Sequence, residues 1–207
     1  MDVRVELTRG SQLPVAALAS MAVSVLALGT APLLMPASYD WLVHTTSESA
    51  AQGVPFAWVA RLGLAAFGVG VVAVVMRTTV RWGPTACTLH VAFAVAMLAS
   101  AAFSARSWEF GAAFDHAEDL AHSVAATTMG FAFAFGVLAV GLRSGRPAPR
   151  HWFDVVAIVA SVALPLGMLG LPQLAGLLQR VMFVIAYAWY AAEALEVPTD
   201  PVGGPLR

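Results

Sequence analysis

Residues 39–53 read YDWLVHTTSESAAQG and lie between two long apolar runs. They gather His44, Ser47 and Glu48 with further hydroxyls, in a chain that is 59% hydrophobic and only 11% charged. Two kinds of chemistry suit such residues. On a short helix His44 sits at i−3 from Ser47, so Ser47 is a candidate nucleophile with His44 as its base, and Glu48 is a candidate general acid or base. The structural alternative is a capping box, in which Thr45 and Glu48, three residues apart, satisfy each other's backbone N–H groups. A helix over about 46–51 would then end at Gly53 and Pro55. Local caps are commoner than nucleophiles, so the cap is the expectation.

A second polar segment, residues 104–123, reads SARSWEFGAAFDHAEDLAHS. The two segments hold three of the five histidines and half of the twelve carboxylates. A helix starting near Asp115 places Asp115, Asp119 and His122 at i, i+4 and i+7, on one face. His116, Asp119 and His122, with His44 brought in from the first segment, are candidate ligands for a divalent metal such as zinc, which takes three N/O ligands and keeps one position open for water. Against this, the H-x2-D-x2-H spacing is no established ligand signature. A solvated start of helix, with Asp115 or Asp119 favoured by the helix dipole, accounts for the same residues.

The elements that position these groups follow from hydropathy. Charged residues make up about a quarter of an ordinary soluble domain. At 11%, with a mean hydropathy of +0.78, this chain cannot cover a water-soluble globule. A bilayer needs about 20 apolar residues per helical span. That length predicts an all-α, polytopic integral membrane protein, a six-transmembrane-helix bundle over residues 13–195. The helices fall at about 13–35, 56–77, 83–105, 119–142, 152–171 and 174–195. Residues 1–12 form a cytoplasmic N-terminus and 196–207 a disordered cytoplasmic tail. The first apolar run is longer than the core of a cleaved signal peptide and is expected to be retained.

There is no lysine, so arginine alone carries the topology signal. Arg4 and Arg9 precede the first span, Arg77 and Arg81 follow the second, and Arg143, Arg146 and Arg150 follow the fourth. The other connections hold only Arg106. This pattern places both termini in the cytoplasm and both polar segments outside. The expected location is the cell membrane, multi-pass, with membrane lipids as partners. With a net charge of −1 and no basic block, no nucleic-acid partner is expected. The sequence leaves a membrane-protein partner or a homo-oligomer open.

Arg61 and Arg180 lie inside apolar segments near the outer ends of the second and sixth helices. Charges at that depth are costly and face the bundle interior, a partner or water. Both are expected to turn inward and pair with Glu48, Asp115 or Asp119, snorkelling being the alternative. His90 is expected to hydrogen-bond within the bundle, and Tyr187, at i+7 from Arg180, either extends this polar seam or simply packs. Trp41, Trp58, Trp82, Trp108 and Trp152 read as an interfacial belt. Gly63, Gly68 and Gly70 give a small surface for close helix packing.

The His44…Ser47-Glu48 segment, the Trp- and Arg-containing second helix FAWVARLGLAAFGVGVV and the sixth-helix opening GLLQRVMF resemble the bacterial and archaeal membrane family catalogued as domain-of-unknown-function 998. The resemblance implies a bacterial inner-membrane six-span bundle with a polar outer site containing His44, Ser47, Glu48 and Arg180. It implies no reaction. Two readings stand. One is a non-enzymatic module that binds a lipid or small amphiphile, or steadies a partner, through a network of His44, Ser47, Glu48, Arg61, Asp115, Asp119 and Arg180. The other is a metal-dependent intramembrane hydrolase acting on a lipid amide or ester, with His44, His116, Asp119 and His122 around the metal and Glu48 as acid/base.

Overall fold

The computed structural model describes residues 3–143 and 148–196, with side chains from Gln12 onward. Among these residues the secondary structure is entirely helical. α1 (Val3–Thr30) runs into a 3-10 turn at Ala31–Leu34. A loop holding the short α2 (Thr46–Ser49) leads to α3 (Ala57–Ala102). α4 (His116–Gly141) and α5 (Ala148–Gly170) follow, and a 3-10 turn at Pro172–Leu174 opens α6 (Ala175–Leu195). In hydrocarbon a helix satisfies its own backbone groups, which is why such apolar runs adopt this form. Five helices are long and apolar enough to cross a membrane, the make-up of a multi-pass membrane protein. The expected tail at 196–207 lies, after Glu196, outside the described residues, and α1 begins at Val3 rather than near 13.

α3 differs most from expectation. It spans 46 residues, more than twice what a bilayer requires. The expected connection at 78–82 is helical up to Trp82, and the break falls on one residue, Gly83, with φ 74° and ψ 173°. Only glycine adopts that conformation cheaply. A Cβ there would also collide with the Arg143 guanidinium, and Pro84 supplies no N–H to continue the ladder. The two halves fold back on each other. The rings of Phe67 and Phe93 lie 5.6 Å apart, and Gly68 would place a Cβ 3.0 Å from the Ala94 carbonyl. Gln52 N–H donates to the Ala105 carbonyl at 2.9 Å, tying the entry of α3 to its exit.

Small residues set the helix contacts, as the glycine pattern led us to expect. Gly63 receives Leu28 of α1, and Gly70 receives Met21. The centre is aromatic. His90, fully buried, lies between Trp82 (ring centroids 4.4 Å apart) and Trp189 (5.0 Å, stacked). Its Nδ1 is 2.7 Å from the Tyr190 hydroxyl, the bond within the bundle expected of it. Trp82 is only 1% exposed, so it belongs to this core and not to an interfacial belt. Trp41, Trp58 and Trp152 are exposed.

α4 approaches this core through Gly136, where a Cβ would stand 2.8 Å from His90 Cε1 and Nε2. The imidazole is wedged among rings and has nowhere to shift. Gly136→Ala is therefore expected to destabilise the bundle by about 1–3 kcal/mol through overpacking, measured as unfolding in mild detergent. Gly130→Ala, on the same helix with nothing within 4 Å of the added carbon, serves as the neutral control. Equal behaviour of the two would contradict this packing.

Candidate functional site

The first loop is folded onto the start of α6. The first N–H groups of a helix have no partner within it, and here the loop supplies them. Gly176 N–H donates to the Val43 carbonyl and Leu177 N–H to the Leu42 carbonyl, both at 3.1 Å. Thr46 N–H donates back to Gln179 Oε1 at 2.6 Å. Gly176 is required for this approach, because a Cβ would collide with the Trp41 and His44 carbonyls.

Arg180, one turn further along, closes the junction. Its Nη1 donates to the carbonyls of Trp41 (2.7 Å), His44 (3.0 Å) and Gly176 (2.9 Å). Its Nη2 donates to the Tyr39 hydroxyl at 2.7 Å. The Tyr39 hydroxyl in turn donates toward the Thr45 carbonyl at 2.9 Å and the His44 carbonyl at 3.2 Å. Burial pushes the Tyr39 phenol above its ordinary value, against the opposing pull of Arg180, so at neutral pH it is an uncharged donor.

Arg61 acts likewise, its Nε donating to the Ala50 carbonyl at 3.1 Å. Both arginines thus turn inward, but the expected carboxylate pairing is corrected. Among the described residues neither has a salt bridge, and their partners are loop carbonyls and a phenol. The carboxylates are engaged elsewhere. Glu48 Oε2 accepts from Thr45 N–H (2.6 Å) and Oγ1 (2.9 Å), while Glu48 N–H donates to Thr45 Oγ1. This is the capping box. Asp115 caps α4, accepting from Ala117 and Glu118 N–H.

The segment before α4 is held in the same way. Glu118 accepts from Ser104 N–H at 2.7 Å and Asp119 from Arg106 N–H at 2.8 Å. Gln52 bridges the two loops, receiving Asp115 N–H and donating to the Ser104 carbonyl. His122 Nδ1 lies 2.8 Å from the Phe103 carbonyl, and His116 is exposed beside Phe114 (ring centroids 4.3 Å apart). His44 Nδ1 accepts from Asp40 N–H at 2.8 Å, and its ring packs on Tyr39 and Trp108.

His44, His116, Asp119 and His122 are therefore not brought together as the zinc reading requires. Among the described residues no group of three or more His, Cys, Asp or Glu could hold a metal. Asp119, His44 and His122 each have one atom engaged by a backbone group. Nor does a hydrogen bond join His44 to Ser47, and His44 Nδ1 is turned to the Asp40 N–H instead. His44 and Glu48 instead line an open polar cleft of about 660 Å³, shared with Trp108 and Glu109.

A different concavity lies on the other side of Arg180. An apolar groove of about 430 Å³ runs between α1 and α6, walled by Val25, Leu28 and Leu33 on one side and Phe183 and Val184 on the other. Arg180, Trp41 and Thr46 stand at its loop end, and Tyr187 lines it two turns further along α6. The Arg180 guanidinium carbon is 5.9 Å from the Trp41 ring centre, within cation–π range.

A family model described as "Protein of unknown function (DUF998)" matches residues 13–196, most of the chain. The chain belongs to the DUF998 family. No curated protein and no solved structure matches it.

The matched DUF998 span also contains a polar cluster that the sequence reading passed over, at the end of the bundle opposite the loops. Glu193 of α6 is 1% exposed and accepts from Arg81 Nη2 at 2.6 Å and Trp82 Nε1 at 2.9 Å. Arg150 Nη1 stands 3.9 Å from its other oxygen, and Arg81 also pairs with Glu196 at 2.7 Å. Asp154 of α5, buried, accepts from Trp189 Nε1 at 2.8 Å. The signal was present in the sequence. Asp154 and Glu193 are carboxylates inside apolar helices, and the rule that singled out Arg61 and Arg180 applies equally to them.

Arg180→Ala would remove the donor to the Trp41 carbonyl and one of the two donors to the His44 carbonyl, in a half-buried junction. At about 1–3 kcal/mol for an unsatisfied buried group, with water reaching part of the junction, we expect a loss of about 1–3 kcal/mol in detergent unfolding. Glu48→Gln keeps an acceptor in the capping box and is expected to stay within about 0.5 kcal/mol. A larger cost for Glu48→Gln than for Arg180→Ala would show that ion pairing, not carbonyl coordination, holds the loop.

Proposed function

We propose that this DUF998 protein is a non-enzymatic membrane module that holds a small amphiphile in the α1–α6 groove, its polar end at Arg180 and Trp41. The observation that carries the reading is the groove itself, apolar along its length with a cation at one end. That polarity matches a molecule with a tail and a head. The guanidinium has no carboxylate partner among the described residues, so its charge remains available to an acceptor-rich headgroup. The loop then serves to fix the guanidinium, and the backbone contacts of Asp119 and His122 fit a structural role for the second loop.

In the same proposal the chain crosses the membrane six times. α3 crosses twice about the Gly83 break, the loop pole faces outward and both termini lie in the cytoplasm, in keeping with the arginine distribution. Phe110, fully exposed in the second loop, and Val80, 92% exposed beside the break, report on opposite sides. In a Cys87→Ala background, Phe110→Cys is expected to react with an impermeant maleimide on intact cells and Val80→Cys only after permeabilisation. The reverse pattern would overturn the orientation, and labelling of both from outside the double crossing.

Binding is tested at Gly29, which lines the groove and has nothing within 4 Å of an added side-chain carbon. Gly29→Leu sends a bulky apolar side chain into the groove from a carbon with open space around it, and replaces a poor helix former with a good one. Native mass spectrometry from mild detergent is expected to show one amphiphile retained by the wild-type protein and lost from Gly29→Leu, with thermal stability unchanged or raised. Equal occupancy in both, or none in either, sinks the reading.

A further inference from the structure

The hydrogen bonds at the floor of the groove have only one consistent direction. Ser24 Oγ lies 2.5 Å from the Gly63 carbonyl and 2.5 Å from the Tyr187 hydroxyl. A carbonyl can only accept, and Ser24 has a single proton. That proton goes to Gly63, so the Tyr187 proton must go to Ser24. The Tyr187 oxygen is thereby left with lone pairs and no proton to give, on a residue that lines the groove.

Its ring is fixed by Phe67, with centroids 4.2 Å apart, and Ser24 is fully buried. The hydroxyl is therefore held in place. Seven residues of α6 separate it from Arg180, about 10 Å of helix rise. A lone acceptor on an otherwise apolar wall favours a donor in the occupant, since an acceptor covered by hydrocarbon is left unsatisfied.

Resting on the amphiphile reading above, we infer that the occupant is an anionic amphiphile carrying a hydrogen-bond donor, a hydroxyl or an amide N–H, partway along its chain. Arg180 receives the carboxylate or phosphate head, and Tyr187 accepts from the donor. Tyr187 and Ser24 select among amphiphiles that Arg180 alone would treat alike.

The test uses delipidated full-length protein in mild detergent, with stearate and a mid-chain hydroxystearate displacing a fluorescent fatty acid. The wild-type protein is expected to bind hydroxystearate about three- to ten-fold more tightly, the worth of one net hydrogen bond. Tyr187→Phe keeps the ring on Phe67 and is expected to bind both alike, near the wild-type affinity for stearate. Ser24→Ala frees the Tyr187 proton to donate, so preference should move toward a mid-chain ketostearate. Equal wild-type affinities overturn the inference while the groove reading stands, and failure of both fatty acids to bind overturns the two together. A preference that survives Tyr187→Phe overturns the role of Tyr187, and a Ser24→Ala protein indifferent to ketostearate overturns the proton direction.

Discussion

Irregular backbone near a bilayer is tolerated only where its carbonyls and N–H groups find partners within the protein. In this chain that requirement falls on the residues around α2, and it is met chiefly by one guanidinium. Arg180 gathers carbonyls from two points of the loop and one from its own helix. Because a guanidinium presents five donors in a fixed fork, it dictates where those carbonyls sit. Gly176 admits the loop, the first turn of α6 takes its carbonyls, and Gln52 passes the constraint to the segment before α4. The groove beside Arg180 owes its loop end to the same junction.

The helical class, the intramembrane arginines and the capping box at Thr45 and Glu48 were legible because each depends on local pattern or composition. Partners were not. Arg180 looks in the sequence like one half of an ion pair, since carboxylates are the only visible opposite charges. Carbonyls are invisible to such reading, being present at every residue. Asp119 looks like a metal ligand because histidines stand beside it in the sequence, although the Arg106 N–H occupies one of its oxygens. The break in α3 was expected as a loop because Arg77 and Arg81 mark a polar interval. The helix runs on to Gly83 because both arginines reach carboxylates or carbonyls of the α6 end without leaving helical geometry. Which wall would be hollow, and hence the groove, depends on how α1 leans on α6, and no spacing rule encodes that.

The two ends of the bundle solve the same desolvation problem by different means. At one end Glu193 is buried against Arg81 with Trp82 as a further donor, an arrangement in which a desolvated charge is both paired and hydrogen-bonded. Between the ends, Trp82, His90, Trp189 and Tyr190 interlock. α6 carries both solutions, Arg180 near its start and Glu193 near its finish, and so fixes the relative height of the whole assembly.

Coordination by carbonyls has a consequence for the conditions the loop end can withstand. Carbonyl oxygens do not titrate, and a guanidinium keeps its proton throughout the accessible range. Acid has no carboxylate to neutralise in the Arg180 junction, and dissolved ions have no counter-charge there to displace. The fastening of the α2 loop to α6 through Arg180 is thus built on neutral acceptors, in contrast to the carboxylate cluster of Glu193 and Glu196 at the opposite end.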